Sequence, residues 1–451
     1  MRILCASALV ASALLAPGTR VVQEARRPNI VLFFADDLGY GDLGVQGHPT
    51  IRTPSIDSLA EDGVRLTSFY SAQSCVPARI RLMTGRYPVR TGIRGTSVGG
   101  RGGIPPEELT LAESLSEAGY RTGMVGKWHL GYAERRFLPT SQGFDSWFGL
   151  PYSNDMTRPW VQTDEPLWLY EDADRVGHPV DQARLTVRYT DRAVRFIEES
   201  GSQPFFLYVA YSMPHLPLHP APGMRGRSAA GLYGDVVETI DASVGRILEV
   251  LRSLGAEDNT LVVFTSDNGP WQHPPERMLQ DGVRPWHVGS TGLLRGAKAT
   301  TYEGGYRVPF VARWPGAIPP GTVSDGIATT MDLFTTFVVT GGGSLPDHPV
   351  DGLDLLAHLR GETRSPRSEH FYFRGSEVVG VRQGAWKLHY PAQVREGPWK
   401  TGEVVELFEL DSDPRESVNR AAGEPEAVER LRRRMVAFAS EVGATLADPV
   451  L

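Results

Sequence analysis

The stretch "NIVLFFADD", residues 29–37, is an apolar run that ends in two acids. A short continuous run of this kind fits a strand buried on both faces, as in a parallel sheet. The chain around it repeats the theme, with apolar runs alternating with amphipathic helices. A helix is predicted from Thr53, with Pro54 at its first position, Ile56 and Leu59 on its inner face and Gly63 closing it. Another starts at the capping-box pair Thr110 and Glu113 and ends at Gly119, ahead of a strand in "YRTGMVG". A helix over 185–199 leads into "FFLYVAY". A longer one, with Ile240, Val244, Ile247, Leu251 and Leu254 on one face, leads into "TLVVFTS". This alternation indicates an α/β fold with a large, mostly parallel sheet.

Beyond Gly341 the pattern changes. Pro, Gly and Asp punctuate short alternating stretches, "EHFYFRG", "VGVRQGAWKLHY" and "VELFEL", which suggest a small antiparallel sheet. A terminal helix presents Val428, Leu431, Met435, Phe438 and Val442 inward, leaving Arg432 to Arg434 as a solvated face. The expected organisation is a leader at 1–25, a catalytic domain at 26–344 and a C-terminal subdomain at 345–451.

The leader is read from Arg2 and the apolar run Ile3 to Ala16, broken by Pro17 and Gly18. That run is shorter than the roughly 20 residues a spanning helix needs, and no other segment is long and apolar enough. The expected location is therefore secreted or periplasmic. A net charge of -7 over 451 residues argues against nucleic-acid binding, which rests on basic patches. Of the two cysteines, Cys5 falls in the leader, so the mature chain keeps Cys75 alone. One cysteine makes no internal disulfide in an exported protein. Its neighbours Pro77, Arg79, Arg81 and Arg86 give it a polar, cationic setting, and a buried inert thiol and a reactive one are both compatible with that.

In an open parallel sheet, ligands bind beyond the carboxyl ends of the strands. Here those ends carry Asp36 and Asp37, Asp267 and Asn268, Lys127 with His129, and His215. Either acidic pair alone is at home in an ordinary turn. Two pairs after two apolar strands point instead to an oxygen-only site for a hard cation such as Ca²⁺ or Mg²⁺. Three adjacent carboxylates repel one another without a cation among them. There is no HExxH and no cysteine cluster to suggest zinc. Beside a cation, Lys127 and Lys298 read as binders of an anionic group with several oxygens. The aperiodic segment 271–291, rich in Pro, His and Trp, reads as a functional loop.

These residues resemble a known family. "CVPARIRLMTGRYPVRTG" is similar to the signature of the type I, formylglycine-dependent sulfatases, C-x-[PA]-x-R followed by a T-G-R element. "PNIVLFFADDLGYGDLG", "GKWHLG", "TSDNGP" and "GLLRGAKATTYEGGYRVPF" match the family's other blocks in order, and "GLPYSNDM" looks like the arylsulfatase A branch. One position departs: Ala78 stands where serine is common, while Cys75, Pro77 and Arg79 are intact. The resemblance implies an alkaline-phosphatase-like fold and hydrolysis of a sulfate ester in an aryl sulfate, sulfated carbohydrate or sulfolipid. It implies that a formylglycine-generating maturation enzyme oxidises Cys75 to Cα-formylglycine, whose hydrated diol attacks sulfur with one hydroxyl and expels sulfate with the other.

It further implies that Asp36, Asp37, Asp267 and Asn268, with the modified Cys75, surround one Ca²⁺ (Mg²⁺ in some members). Arg79 and Lys127 would hold the diol, and His129 would take the second hydroxyl's proton. His215 and Lys298 would bind sulfate and protonate the departing alcohol, and Ser153 would contact substrate. Nothing raises His287 or His389 above an ordinary histidine. The expected partners are a sulfated small molecule or glycan and the maturation enzyme. The rival expectations are a phosphodiesterase or phosphonate hydrolase on the same scaffold, and a non-catalytic binder of sulfated glycans. The natural substrate and the oligomeric state are left open by the residues.

Overall fold

The strand Asn29–Ala35 lies inside a ten-stranded sheet. Its side chains alternate between two cores: Ile30, Leu32 and Phe34 pack on one face, Val31, Phe33 and Ala35 on the other, all fully buried. Burying a large aliphatic or aromatic side chain is worth about 1.5–3 kcal/mol, so this run anchors both layers at once. The computed structural model describes residues 27–92, 102–390 and 405–446; the leader read at 1–25, with Cys5, lies outside them.

Asn29–Ala35 pairs in parallel with Thr260–Ser266 on one side and Phe205–Ala210 on the other. Arg121–Lys127 and then Ser146–Leu150 continue the parallel set. Toward one edge Phe310–Arg313 runs antiparallel to Thr260–Ser266, and toward the other Leu169–Glu171 and Asp174–Gly177 form an antiparallel pair. The helices Pro54–Glu61, Leu111–Glu117, Leu185–Ser200 and Gly231–Ser253 connect the strands. The capping box forms in full, with Glu113 N donating to Thr110 Oγ1 at 3.1 Å and Thr110 N to Glu113 Oε2 at 2.7 Å. This is the α/β, alkaline-phosphatase-like arrangement that the resemblance implies. Two details differ. Leu254, expected on the inner face of its helix, is the C-cap residue and is 51% exposed, because the chain turns away there. The strand Ser146–Leu150, "SWFGL", is short and contains a glycine, so it carries little β signal of its own.

A second sheet holds Glu369–Arg374, Glu377–Gln383, Trp386–His389 and Glu406–Glu409, each antiparallel to the next. The helix Pro425–Val442 buries Leu431, Met435, Phe438 and Val442 against it, and Phe438 stacks on Phe371 with ring centroids 3.6 Å apart. Arg434 is not simply solvated as expected: its guanidinium pairs with Glu369 at 2.6 Å and lies over Phe371. Between the sheets, Glu303 accepts from Tyr70 and Tyr372, both at 2.6 Å, and pairs with Lys387 at 3.1 Å. Lys387 in turn pairs with Glu416 at 2.7 Å. Buried charges persist only when paired and hydrogen-bonded, so this network fixes the segment that also carries Lys298. No described helix is long and apolar enough to cross a membrane.

Candidate active site

The site follows from the strand order. Thr260–Ser266, Asn29–Ala35, Phe205–Ala210, Arg121–Lys127 and Ser146–Leu150 lie side by side and parallel, so their carboxyl ends form one edge. Asp267 and Asn268, Asp36 and Asp37, His215, Lys127 and Ser153 leave that edge in this order. Cys75 opens the helix Cys75–Thr84, whose residues are almost all buried, Arg79 and Arg81 included. Gly126, with φ 104°, lets the strand approach its neighbour; a Cβ there would lie 1.7 Å from the Ala210 carbonyl oxygen.

The ionic contacts are dense. Asp36 pairs with Lys127 and lies 3.8 Å from Arg79. Asp37 pairs with Lys298 at 2.7 Å and accepts from Asn268 Nδ2 at 2.7 Å. Arg79 spans Asp267 Oδ2 at 3.1 Å and the Lys127 carbonyl at 2.8 Å, with Tyr208 Oη at 3.4 Å. Asp267 Oδ1 accepts from the Asp37 amide at 3.0 Å, which holds the two acidic strand ends together. The Cys75 Sγ sits 3.3 Å from Asp36, 3.9 Å from Asp37 and 3.5 Å from Lys298. Ser153 Oγ accepts from Lys127 Nζ at 3.3 Å and faces His215 Nε2 at 3.4 Å. His215 Nε2 also lies 3.7 Å from Asp37. Its Nδ1 lies 2.5 Å from the Leu216 carbonyl, an acceptor only, which assigns the proton to Nδ1 and leaves Nε2 facing the site.

Burial and charge pull the titrations apart. Burial raises Asp36, but the cations Lys127, His215 and Arg79 outweigh it and hold it well below the usual carboxylate range. Asp267 is pushed up to about 7 by burial and then by the Asp36 charge. Burial also pushes the Cys75 thiol well up, and Asp267 and Asp36 add to the effect. A thiolate is therefore disfavoured there. His129 is held well below its ordinary value by burial and by Lys127 and Arg79, and its buried Nδ1 has no hydrogen-bond partner. Asp37, His129 and Ala299, next to Lys298, all have left-handed backbones, with φ of 65°, 61° and 68°. Such conformations in non-glycine residues cost energy and cluster at functional sites.

A group of side chains here could hold a metal ion. Asp36, Asp37, Cys75 and His215 each place a ligand atom within 4.8 Å of the others. Asn268 Oδ1 is buried without a partner, and an acceptor left so is the kind of group a bound cation satisfies. The structure thus gathers Asp36, Asp37, Cys75, Arg79, Lys127, His129, Ser153, His215, Asp267, Asn268 and Lys298 in one place. His389 is elsewhere, fully buried between the sheets and bonded to Thr301 at 2.5 Å and Glu406 at 3.1 Å. His287 accepts from the Arg284 amide on the loop. Sequence reading missed Trp271, whose ring lies 5.5 Å from that of His215 and 5.0 Å from Lys298 Nζ. The loop 271–291 reads as functional, but within it nothing except its position directly after "SDNGP" sets Trp271 apart from Trp286.

Comparison with known proteins gives the family. Residues 28–342 match the sulfatase family model, and residues 296–440 match the model of the N-sulphoglucosamine sulphohydrolase C-terminal region. Arylsulfatase A of Homo sapiens is 39% identical over 91% of this chain and 87% of its own length. N-acetylgalactosamine-6-sulfatase of Canis lupus familiaris is 40% identical over 83% of this chain and 74% of its own. The crystal structure of the PsFucS1 sulfatase from Pseudoalteromonas sp. superposes with a TM-score of 0.81 at 30% identity, covering 92% of this chain and 90% of that one. With the sheet, the strand-end cluster and these relatives in agreement, the chain belongs to the type I sulfatase family, a family of sulfuric ester hydrolases.

Proposed function

We propose that this protein hydrolyses a sulfate ester with a formylglycine made from Cys75 and a Ca²⁺ held by Asp36, Asp37, Asp267 and Asn268. The observation that carries the reading is the setting of Cys75. It sits at the centre of the cluster, within reach of Asp36 and Lys298, yet burial and carboxylates hold its thiol protonated. A cysteine so placed is a poor nucleophile as a thiol and well placed as the precursor of another group. When present, formylglycine supplies a hydrated aldehyde, two hydroxyls on one carbon, and the cation supplies acidity to a bound hydroxyl and polarises a sulfate oxygen.

The remaining chemistry belongs to the side chains. Arg79 and Lys127 bracket residue 75 and offset negative charge there. His129, neutral and with Nδ1 unpartnered, accepts a proton at that atom. His215 keeps its Nδ1 proton on the Leu216 carbonyl and turns Nε2 to the site; burial followed by the Lys298 charge lowers its pKa, so a proton taken up at Nε2 is given up readily to a departing alcohol. Lys298 and Ser153 hold the sulfate oxygens. Three carboxylates face three cations, Arg79, Lys127 and Lys298, so the two charges of a divalent cation are left to balance a monoanionic ester and an ionised hydroxyl. This suits a monoanionic ester, a sulfate ester among them, better than a dianionic phosphate monoester; a phosphate diester carries the same single charge, so the two are compared by assay.

The leader at 1–25 would export the chain, and a formylglycine-generating enzyme would be its maturation partner. The two relatives are named for an aryl sulfate and an N-acetylgalactosamine 6-sulfate, and these are the classes to assay first. The test is a side-by-side measurement of nitrophenyl sulfate, sulfated amino sugars and the matching phosphate diesters with metal-loaded enzyme. Sulfate release at a kcat/KM well above that for the phosphorus esters supports the reading. The reverse preference would assign the site to phosphodiester or phosphonate hydrolysis.

A further inference from the structure

We infer that Trp271 sets substrate class at this site, by presenting an indole wall to a six-membered ring in the alcohol that leaves. The inference rests on the sulfatase reading above and deepens it. Trp271 follows the acidic strand end at Asp267 and Asn268 by only three residues, so its backbone is anchored beside the reaction centre. Its ring lies against His215, with centroids 5.5 Å apart and planes at 57°, and 5.0 Å from the Lys298 ammonium. His215 is the group assigned to the leaving alcohol, and Lys298 is assigned to the sulfate oxygens next to it. Trp271 packs against the core yet is only partly buried, so part of the residue stays accessible beside His215 and Lys298.

The loop behind it is held in place. Gln272 Nε2 donates to the Gly289 carbonyl at 3.1 Å, joining the two limbs of the 271–289 loop at their base. The amide of Ser290 donates to Asp42 Oδ1 at 2.6 Å, and Gly39 N and Tyr233 Oη donate to Asp42 Oδ2, both at 2.6 Å. The wall is therefore tied to the turn that follows Asp36 and Asp37, and its position relative to residue 75 is set. A rigid, partly apolar aromatic face beside a cation gives up little entropy when a ring stacks on it. A pyranose and an aryl group both offer such a face; an acyclic alkyl chain does not.

The test is steady-state kinetics of the metal-loaded wild type, Trp271→Ala and Trp271→Phe on three probes: nitrophenyl sulfate, a methyl pyranoside monosulfate and an unbranched alkyl sulfate. In Trp271→Ala the ratio of kcat/KM for the ring substrate to that for the alkyl sulfate should fall about tenfold, mainly through KM. Trp271→Phe should recover most of the ratio. Which ring probe loses more identifies the source, aryl or sugar. A ratio in Trp271→Ala equal to wild type, or a loss confined to kcat and equal for all three probes, would overturn the inference and leave Trp271 as packing for His215 and Lys298. Thermal melts establish that the variants are folded; if the alanine variant is not, Trp271→Leu, which keeps apolar bulk without an aromatic face, takes its place with the same expected fall in the ratio and the same overturning results. Failure of the wild type on all three sulfates would instead refute the sulfatase reading.

Discussion

Replacing Asn268 by aspartate isolates the metal site from the rest of the fold. Asn268 Nδ2 donates to Asp37 Oδ1 at 2.7 Å and to the Gly269 carbonyl at 2.8 Å, while Oδ1 is buried and unpartnered. In Asn268→Asp, a second carboxylate oxygen replaces the donor facing Asp37. At that distance and an effective dielectric near 20, the repulsion is about 6 kcal/mol. The new carboxyl limits this by taking a proton, which at pH 7 costs about 4 kcal/mol for a group of ordinary pKa near 3.9. The chelated variant should therefore be less stable than wild type by about 3–4 kcal/mol at pH 7. Because the folded pKa of the new group lies above its unfolded value, the deficit appears as pH rises through that interval and fades below pH of about 4. Saturating Ca²⁺ should shrink the deficit to about 1 kcal/mol or less, since a fourth carboxylate raises the ligand charge. Urea unfolding with chelator and with Ca²⁺ reads both values. An equal deficit in the two conditions would mean that residue 268 does not face the cation.

Other variants probe the remaining parts. Lys298→Met removes the partner of Asp37 and a cation beside residue 75, and should lower kcat/KM by about 100-fold or more in initial-rate assays. Ser153→Ala loses one hydroxyl shared by Lys127 and His215, so KM for the sulfate ester should rise about two- to tenfold with a smaller effect on kcat. Phe438→Ala empties the stack on Phe371 and should cost about 3–5 kcal/mol in urea unfolding, while the variant that remains folded binds Ca²⁺ as wild type does.

Much of this was legible in the residues because the chemistry sits where the strand pattern stops. Asp36 and Asp37 follow an apolar run, as do Asp267 and Asn268, and a parallel sheet sends such positions to one edge whatever the strand order. The order itself was not legible. It arises from pairing between strands more than a hundred residues apart, such as Ile30 with Phe206 and Leu261, to which no local signal points. The strand Ser146–Leu150 was missed because five residues with an internal glycine carry weak propensity. Trp271 was missed because a lone aromatic in an aperiodic loop has no pattern to place it. Arg434 was read as solvated because helical periodicity assigns a face to a residue but gives no partner; Glu369 on the adjacent strand supplies one.

The central claim is that Cys75 is the precursor of the nucleophile rather than the nucleophile itself. Peptide mass spectrometry of protein from its native host, around residue 75, tests it most directly when paired with a sulfatase assay of the same sample. Conversion to formylglycine predicts a peptide about 18 Da lighter than the cysteine form, with activity in proportion to the converted fraction. A fully active sample whose residue 75 is all unmodified cysteine would contradict it.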